Sequence, residues 1–201
     1  MIIAGAGGHA LEVYDILRSR DLLEGLEIYD ADENKKLFKQ SYAIKHQLSG
    51  FQSDHFCLGI GTPKSREELY TAFIAQGKKH FSLRGNQSEI SPDAFLDQVD
   101  VFHHCFIGPE VKIGKGSLVN TGAQIHHEVK IGAFSVINPG ALVLGAVQIG
   151  DFCSIGAGAK ILPGIKIGNQ VTIGAGAVVI RDVKDRETVV GVPAKSVGSF
   201  K

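Results

Sequence analysis

From residue 101 to residue 184, the apolar positions recur with a period of six, which is neither the period of a helix nor that of an ordinary strand. Fourteen positions spaced by six residues all hold Ile or Val, and we call them the hexad positions. A strict hexapeptide period is typical of a β-helix, in which each repeat forms one side of a coil. The hexad positions are Val101, Ile107, Ile113, Val119, Ile125, Ile131, Ile137, Val143, Ile149, Ile155, Ile161, Ile167, Ile173 and Val179.

A second period of eighteen residues is superimposed on the first. Gly114, Gly132, Gly150 and Gly168 each follow a hexad position and recur at this spacing. Because eighteen residues are three hexads, the pattern predicts coils with three sides that stack into a triangular prism of short parallel strands. We expect the β-branched hexad residues to fill its axis, and the glycines to form corners that need positive φ.

Residues 1–78 lack the hexad pattern and read as a small α/β domain. The apolar run 2–4 predicts a strand, Gly5 to His9 predict a tight turn, and residues 11–17 follow at helical spacing. This strand, glycine turn and helix are the context that a dinucleotide-type glycine motif requires, with phosphate at the helix N-terminus. A plain turn between a strand and a helix remains the alternative.

Two further strands are predicted in this domain, over residues 26–29 and 56–60, and a helix over 65–76. The first of these strands ends at Asp30, where a ribose-binding acid is expected. A complete dinucleotide domain needs more than 78 residues, so the pattern favours a single nucleotide over NAD. The predicted organisation is therefore a Rossmann-like α/β domain at 1–78, a connection at 79–100, a β-helix at 101–184 and a tail at 185–201.

Composition narrows the function classes. The chain carries 21 basic and 21 acidic side chains, so its net charge indicates neither a nucleic-acid nor an anionic-membrane partner. No apolar run approaches a membrane span, and no secretory signal is evident. Cys57, Cys105 and Cys153 lack CxxC spacing, which favours free thiols in the cytoplasm. Cys105 and Cys153 lie two residues before hexad positions, so we expect small core residues rather than nucleophiles.

One polar cluster interrupts the repeat, in the stretch Gln124-Ile-His-His-Glu-Val-Lys-Ile-Gly132. Because Ile125 points inward, His127 and Glu128 are expected at or beyond a corner of the prism, where a histidine suits general base catalysis. Gly145 follows His127 by one coil, and we expect this small residue to leave room for a ligand beside the imidazole.

A solvated corner and a metal site are the alternatives for this cluster. The candidate ligands of a metal are the histidines at 103, 104, 126 and 127. His103 and His127 are 24 residues apart, which is one coil plus one side, so they do not stack. We therefore expect no metal site.

Three motifs resemble those of the sialic-acid O-acyltransferase-like family of bacterial sugar acetyltransferases. They are the turn Gly5-Ala-Gly-Gly-His9, the central stretch Asn120-Thr-Gly-Ala-Gln-Ile-His-His127-Glu128, and Gly191-Val-Pro-Ala-Lys195 near the C-terminus. The resemblance covers nearly the whole chain. It implies a left-handed parallel β-helix, a homotrimer with active sites between protomers, and acetyl-CoA as cosubstrate without a metal.

The resemblance also assigns roles to residues of this chain. His127 falls on the family's general base, and Glu128 on the acid that raises its basicity. The positions that fall at the nucleotide are Gly5, Gly7, Gly8, His9, Asp30, Ala31, Gly59 and Ile60. The positions that fall at the acyl-CoA groove are Val136, Gly156, Ala157, Gly174 and Ala175.

The chain departs from the family pattern at two places. Val136 replaces a second histidine that lies near the thioester, and the stretch Leu83-Arg-Gly-Asn86 replaces a His-Pro pair.

The resemblance implies N-acetylation of a nucleotide-linked amino dideoxy sugar in bacterial glycan biosynthesis, with UDP preferred to GDP. O-acetylation of a sugar hydroxyl, or a non-catalytic nucleotide-sugar scaffold, are the other hypotheses.

Overall fold

The computed structural model describes residues 1–197. They form two compact units, which are Met1–Leu83 and the described part of Arg84–Lys201. The first unit is an α/β domain around one six-stranded sheet. Its elements are β1 (Ile2–Ala4), α1 (Gly8–Arg18), β2 (Glu27–Tyr29), β3 (Leu37–Phe38), β4 (Tyr42–Lys45), β5 (His55–Leu58), α2 (Pro63–Ala75) and β6 (Lys79–His80).

The sheet has the strand order β3-β4-β2-β1-β5-β6, and all its pairs are parallel except β3 with β4. The central strand β1 is buried along its whole length, which explains why it reads as an unbroken apolar run. Helix α1 buries Val13, Ile16 and Leu17 on one side. The carboxyl ends of β1, β2 and β5 meet at one edge, and this arrangement brings the glycine turn close to Asp30 and Gly59.

The second unit is a parallel β-helix with three sheets, as the sequence predicts. Sheet I contains β7, β10, β13, β16, β19 and β22, sheet II contains β8, β11, β14, β17 and β20, and sheet III contains β9, β12, β15, β18, β21, β23 and β24. The strands are β7 (Glu89–Ile90), β8 (Phe95–Leu96), β9 (Asp100–Val101), β10 (Phe106–Ile107), β11 (Lys112–Ile113), β12 (Leu118–Val119), β13 (Gln124–Ile125), β14 (Lys130–Ile131), β15 (Val136–Ile137), β16 (Leu142–Val143), β17 (Gln148–Ile149), β18 (Ser154–Ile155), β19 (Lys160–Ile161), β20 (Lys166–Ile167), β21 (Thr172–Ile173), β22 (Val178–Val179), β23 (Thr188–Val190) and β24 (Lys195–Ser196).

The hexad positions form one continuous apolar core along the axis of the prism. All fourteen are buried, and the most exposed of them, Ile131 and Ile149, show 4% of their surface. Cys105 and Cys153 are buried in the same core. Burial raises the pKa of both thiols, that of Cys153 to about 11, so neither presents a thiolate at neutral pH.

The glycines that follow hexad positions serve a different purpose from the one predicted. Gly114, Gly132, Gly150 and Gly168 do not adopt positive φ. They are needed because neighbouring coils approach too closely for a side chain, and a Cβ on Gly132 would lie 2.6 Å from the carbonyl carbon of Gly150. The left-handed conformation occurs instead at the second residue of each turn, as at Gly122, Gly140, Glu128 and Phe134.

The β-helix begins earlier than the first hexad position, within the predicted connection 79–100. Strands β7 and β8 pair with β10 and β11, and Arg84 bridges Val101. The pairs Ile90–Ile107 and Leu96–Ile113 are 17 residues apart rather than 18. The first coil is therefore one residue short, which moves its apolar residues out of phase with the hexads.

The predicted tail also contributes to the β-helix as far as it is described. Strand β23 pairs in parallel with β21, and β24 folds back antiparallel on β23. Residues 198–201 of the predicted tail lie outside the described residues. Among the helices of residues 1–197, none has both the length and the apolar character needed to cross a membrane.

Candidate active site

His127 and Glu128 form the turn between β13 in sheet I and β14 in sheet II. The buried residues Ile125 and Val129 flank them and fix the turn on the core, while the two turn side chains are 59% and 57% exposed. Glu128 adopts φ of 62° and donates its backbone N–H to Pro109 O at 3.0 Å. The carbonyl oxygen of His127 accepts the N–H of Ala146 at 2.9 Å, so both neighbouring coils hold this turn in place.

The two side chains interact directly with each other. His127 Nδ1 and Glu128 Oε2 are 2.9 Å apart. Because an ionised carboxylate only accepts hydrogen bonds, this contact places the imidazole hydrogen on Nδ1 and leaves the lone pair on Nε2. The pair therefore has the arrangement of a histidine base oriented by a carboxylate.

The space beside the imidazole differs from the prediction. The His127 ring packs directly over Gly145 on the next coil. A Cβ built on Gly145 would overlap Cε1 and Nε2 of the ring and would lie 3.1 Å from Nδ1. The room that Gly145 provides is therefore filled by the imidazole itself.

The four histidines considered for a metal do not converge. His126 is half-buried with its ring centroid 5.6 Å from that of Phe106, whereas His103 and His104 lie in the first coil, at the corner between sheets III and I. Nδ1 of His103 accepts the backbone N–H of Asn86 at 2.8 Å. Within residues 1–197, no group of three or more His, Cys, Asp or Glu side chains is arranged to hold a metal ion.

The residues predicted at the acyl-CoA groove divide into two groups. The pairs Gly156-Ala157 and Gly174-Ala175 stack at the corner between sheets III and I, one coil apart. The N–H groups of Ala157 and Ala175 donate no hydrogen bond within the described part of the chain, and both residues are exposed. Val136, in contrast, is fully buried, so its side chain offers no surface to a cofactor.

A cavity of about 200 Å³ lies at the carboxyl edge of the α/β sheet. Four of the eight residues predicted at the nucleotide line it, namely Gly5, Asp30, Ala31 and Ile60. Gly5 has φ of 112°, and a Cβ on it would lie 2.8 Å from Gly59 O, so the two loops pack without intervening side chains. The remaining lining residues are Tyr29, Ser65, Glu68 and Leu69.

The other predicted nucleotide residues surround the start of α1. Gly7 is the N-cap and Gly8 the first helical residue, and a Cβ on either would meet open space. The side chain of His9 is 14% exposed, and its Nδ1 lies 3.0 Å from Glu12 Oε2. The N-terminus of α1 is thus an open anchor point for an anionic group beside a nearly buried histidine.

The Asp30 carboxylate makes more hydrogen bonds within the protein than the sequence suggests. Its carboxylate accepts the backbone N–H of Ala6 at 2.8 Å and of Asp32 at 2.9 Å, and the Lys35 ammonium at 2.8 Å. Burial alone would raise the pKa of Asp30, but the hydrogen bonds from Lys35, Asp32 and Ala6 outweigh it and lower that pKa. Asp30 therefore anchors the glycine turn, and few of its acceptor positions remain for a ligand.

We expect Asp30→Asn to destabilise the α/β unit by about 2 kcal/mol at neutral pH, because a charged acceptor of three hydrogen bonds is lost. The pKa of Asp30 is lower in the folded state, so its contribution is complete above the unfolded-state pKa of about 4 and disappears as the pH falls through the folded value. Urea unfolding at several pH values should therefore show a shallower acid decline in the variant. Asp15→Asn, at an exposed position on α1, is the control; equal effects of both variants would contradict this role.

Two residues near this cavity were not among the predicted site residues, and His46 was expected at the surface. Arg66 on α2 is fully buried, and its Nη1 donates to Ile60 O at 2.9 Å. The ring of His46 donates from Nδ1 to Asp30 O at 2.8 Å. His46 directly follows β4, the strand beside β2, and this position in the sequence could have indicated that it lies near Asp30. The burial of Arg66 could not have been predicted, because an arginine in a polar helix is usually exposed.

Another cavity, of about 750 Å³, lies along sheet II of the β-helix. Exposed lysines alternate there with the closely packed glycines that follow hexad positions. None of the predicted site residues lines it. Cavity size therefore does not identify the candidate site in this unit; the chemistry of the side chains does.

Comparison with known proteins places both units in described families. Residues 1–73 match the PglD N-terminal domain, and residues 104–145 and 146–181 match the bacterial transferase hexapeptide repeat. None of the curated protein sequences compared with the chain matches it significantly.

Solved structures resemble the chain over nearly its full length. PerB from Caulobacter crescentus, in complex with CoA and GDP-perosamine, is 29% identical with a TM-score of 0.91, and the match covers 98% of this chain and 96% of PerB. The acetyltransferase domain of PglB from Neisseria gonorrhoeae, in complex with acetyl coenzyme A, is 27% identical with a TM-score of 0.90 and 98% coverage of both chains. By both its domain profiles and its architecture, the chain is an acyltransferase with hexapeptide repeats that is similar to the bacterial sugar acetyltransferases PerB and PglB.

Proposed function

We propose that this enzyme is an acetyl-CoA-dependent N-acetyltransferase that acts on the amino group of a nucleotide-linked amino dideoxy sugar in bacterial glycan biosynthesis. The observation that carries the proposal is the His127–Glu128 pair, with Nδ1 and Oε2 2.9 Å apart at a corner of the β-helix. Over 98% of its length the chain is similar to a mutant of GDP-perosamine N-acetyl transferase in complex with CoA and GDP-perosamine, which supports the same class of acceptor here.

In the proposed reaction His127 is the general base. Its Nε2 accepts a proton as the sugar amine attacks the thioester carbonyl and a carbon–nitrogen bond forms. The carbon–sulfur bond then breaks, and the proton passes from Nε2 to the leaving sulfur, so that CoA departs as its thiol and the base is restored. Glu128 holds the imidazole through Nδ1 and stabilises the imidazolium that forms. The N–H of Gly145, beside this ring, donates no hydrogen bond within residues 1–197 and is a candidate donor to the oxyanion.

The chain's own residues suit the two substrates proposed. The free N–H groups of Ala157 and Ala175 are spaced by one coil and can donate to the amide carbonyls of an extended acyl-CoA arm. The open N-terminus of α1 and the cavity lined by Gly5, Asp30 and Ile60 fit a nucleoside diphosphate. We propose UDP first, with GDP tested alongside it.

We also propose a homotrimer in the cytoplasm, with the active site between protomers. In a single chain, His127 lies at the corner between sheets I and II, whereas Ala157 lies at the corner between sheets III and I. Two exposed apolar residues lie at the corner that follows sheet I, Leu162 at 37% and Ile180 at 42%. Covering these residues with a second copy joins the two corners, and light scattering should give a trimer mass.

The acceptor is tested with matched pairs of nucleotide sugars that carry an amino group or a hydroxyl at the same carbon. We expect release of CoA thiol only with the amino member of a UDP or GDP pair, and an acetylated product by mass spectrometry. Turnover with the hydroxyl member alone would favour the O-acetyltransferase hypothesis. Nucleotide-sugar binding without acetyl-CoA binding or turnover would favour the scaffold hypothesis, for which the loss of the second histidine at Val136 is the motive.

A further inference from the structure

We propose that Gly145 is a positioning residue for the base, and that its missing side chain sets the orientation of the His127 imidazole; this inference rests on the proposed function. The Cε1–Nε2 edge of the ring occupies the volume that a Cβ on Gly145 would need. Nε2 is the atom that carries the lone pair, so the residue that supports this edge also sets the direction in which the base points.

The fold itself does not require glycine at this position. Gly145 does not have the positive φ that favours glycine. The residues one coil before His127 and one coil after Gly145 at the same corner are Pro109 and Pro163, so this column accepts large side chains. Glycine is needed only where the imidazole of the preceding coil folds over it.

The backbone contacts of the turn leave movement of the His127 side chain as the adjustment to a larger residue at 145. The backbone of Glu128 is held by Pro109 O, and the backbone of His127 by the N–H of Ala146. A methyl group on Gly145 must therefore be accommodated by rotation of the imidazole. That rotation removes Nδ1 from Glu128 Oε2, which it meets at 2.9 Å, and redirects Nε2.

The test is a double-mutant cycle with Gly145→Ala, His127→Ala and the double variant, with acetyl-CoA turnover and Tm measured for each. We expect Gly145→Ala to lower kcat by about 100-fold with a smaller change in KM, as expected when a catalytic group is misplaced by about 1 Å. In the His127→Ala background the same substitution should cause no further loss. The pH–rate profile of Gly145→Ala should also lose the limb that belongs to the base.

Gly164→Ala is the matched control. Gly164 lies at the same corner one coil later, a Cβ on it would have no atom within 4 Å, and Ala146 shows that alanine is tolerated at the equivalent left-handed position. Activity of Gly164→Ala should stay within about 3-fold of the parent, well below the 10²-fold expected from misplacing a catalytic group.

The Tm readout separates this inference from the proposed function. Steric conflict with the ring predicts that Gly145→Ala lowers Tm in the parent protein, and that removal of the imidazole restores it. If His127→Ala keeps full activity, the base assignment fails, yet restoration of Tm in the double variant still supports the packing claim. An equal loss of activity or of Tm in both backgrounds would overturn the proposal, as would a Gly145→Ala enzyme with parental kcat.

Discussion

His127→Ala should lower kcat by 10²- to 10⁴-fold while KM for both substrates changes much less, because a general base acts in the transition state and contributes little to ground-state binding. Nδ1 of the imidazole is engaged by Glu128 Oε2, which leaves the lone pair of Nε2 to accept the proton. Steady-state kinetics with acetyl-CoA and the preferred amino sugar nucleotide measure this effect.

His126→Ala is the matched control for that experiment. His126 is adjacent in sequence but half-buried, and its ring packs on Phe106 instead of facing Glu128. We expect its loss to affect packing and to leave kcat within about 10-fold of the parent, which is below the range for a general base. Loss of activity in His126→Ala with His127→Ala unaffected would move the base to the other histidine and contradict the site as described.

Ile155→Ala should reduce the free energy of unfolding by about 2–5 kcal/mol, the range for truncating a fully buried branched side chain. Ile155 is 0% exposed in the middle of the column of hexad residues, and it lies between Ile137 and Ile173 on adjacent coils. Because the core is one column of stacked coils, the cavity cannot be filled without shifting its neighbours along the axis.

Urea unfolding at a fixed protein concentration measures this loss, since assembly into an oligomer makes stability depend on concentration. Lys160→Ala is the control, because Lys160 is exposed on the next strand and its truncation should change stability by no more than about 0.5 kcal/mol. A difference of less than 1 kcal/mol between the two variants would argue against a tightly packed hexad core.

The β-helix could be predicted from the sequence because every coil requires the same types of residue at the same positions. Each hexad position fills the axis with Ile or Val, and the positions two residues earlier hold small or β-branched residues, so the pattern remains clear even where one repeat departs from it. The first coil does not follow this six-residue pattern. One missing residue between Ile90 and Ile107 shifts the phase, and a periodic search cannot distinguish that shift from the end of the repeat.

The candidate site was predictable only to the level of which residues lie on a corner. The His127–Glu128 contact follows from a two-residue turn, where adjacent side chains leave the core together. The packing of the imidazole over Gly145 depends on side-chain rotation between coils, which the spacing of residues does not specify. The internal role of Asp30 likewise depends on Lys35 and on the backbone of Ala6, whose directions are set by the folded loop.

The most direct test of the proposed function is to incubate the enzyme with acetyl-CoA and a UDP- or GDP-linked 4-amino-4,6-dideoxy sugar, and to follow both CoA thiol and product mass. We expect stoichiometric formation of CoA and an N-acetylated nucleotide sugar, and loss of both in His127→Ala by about 10²-fold or more. Acetylation of the hydroxyl-bearing analogue instead, or turnover that persists unchanged in His127→Ala, would contradict it.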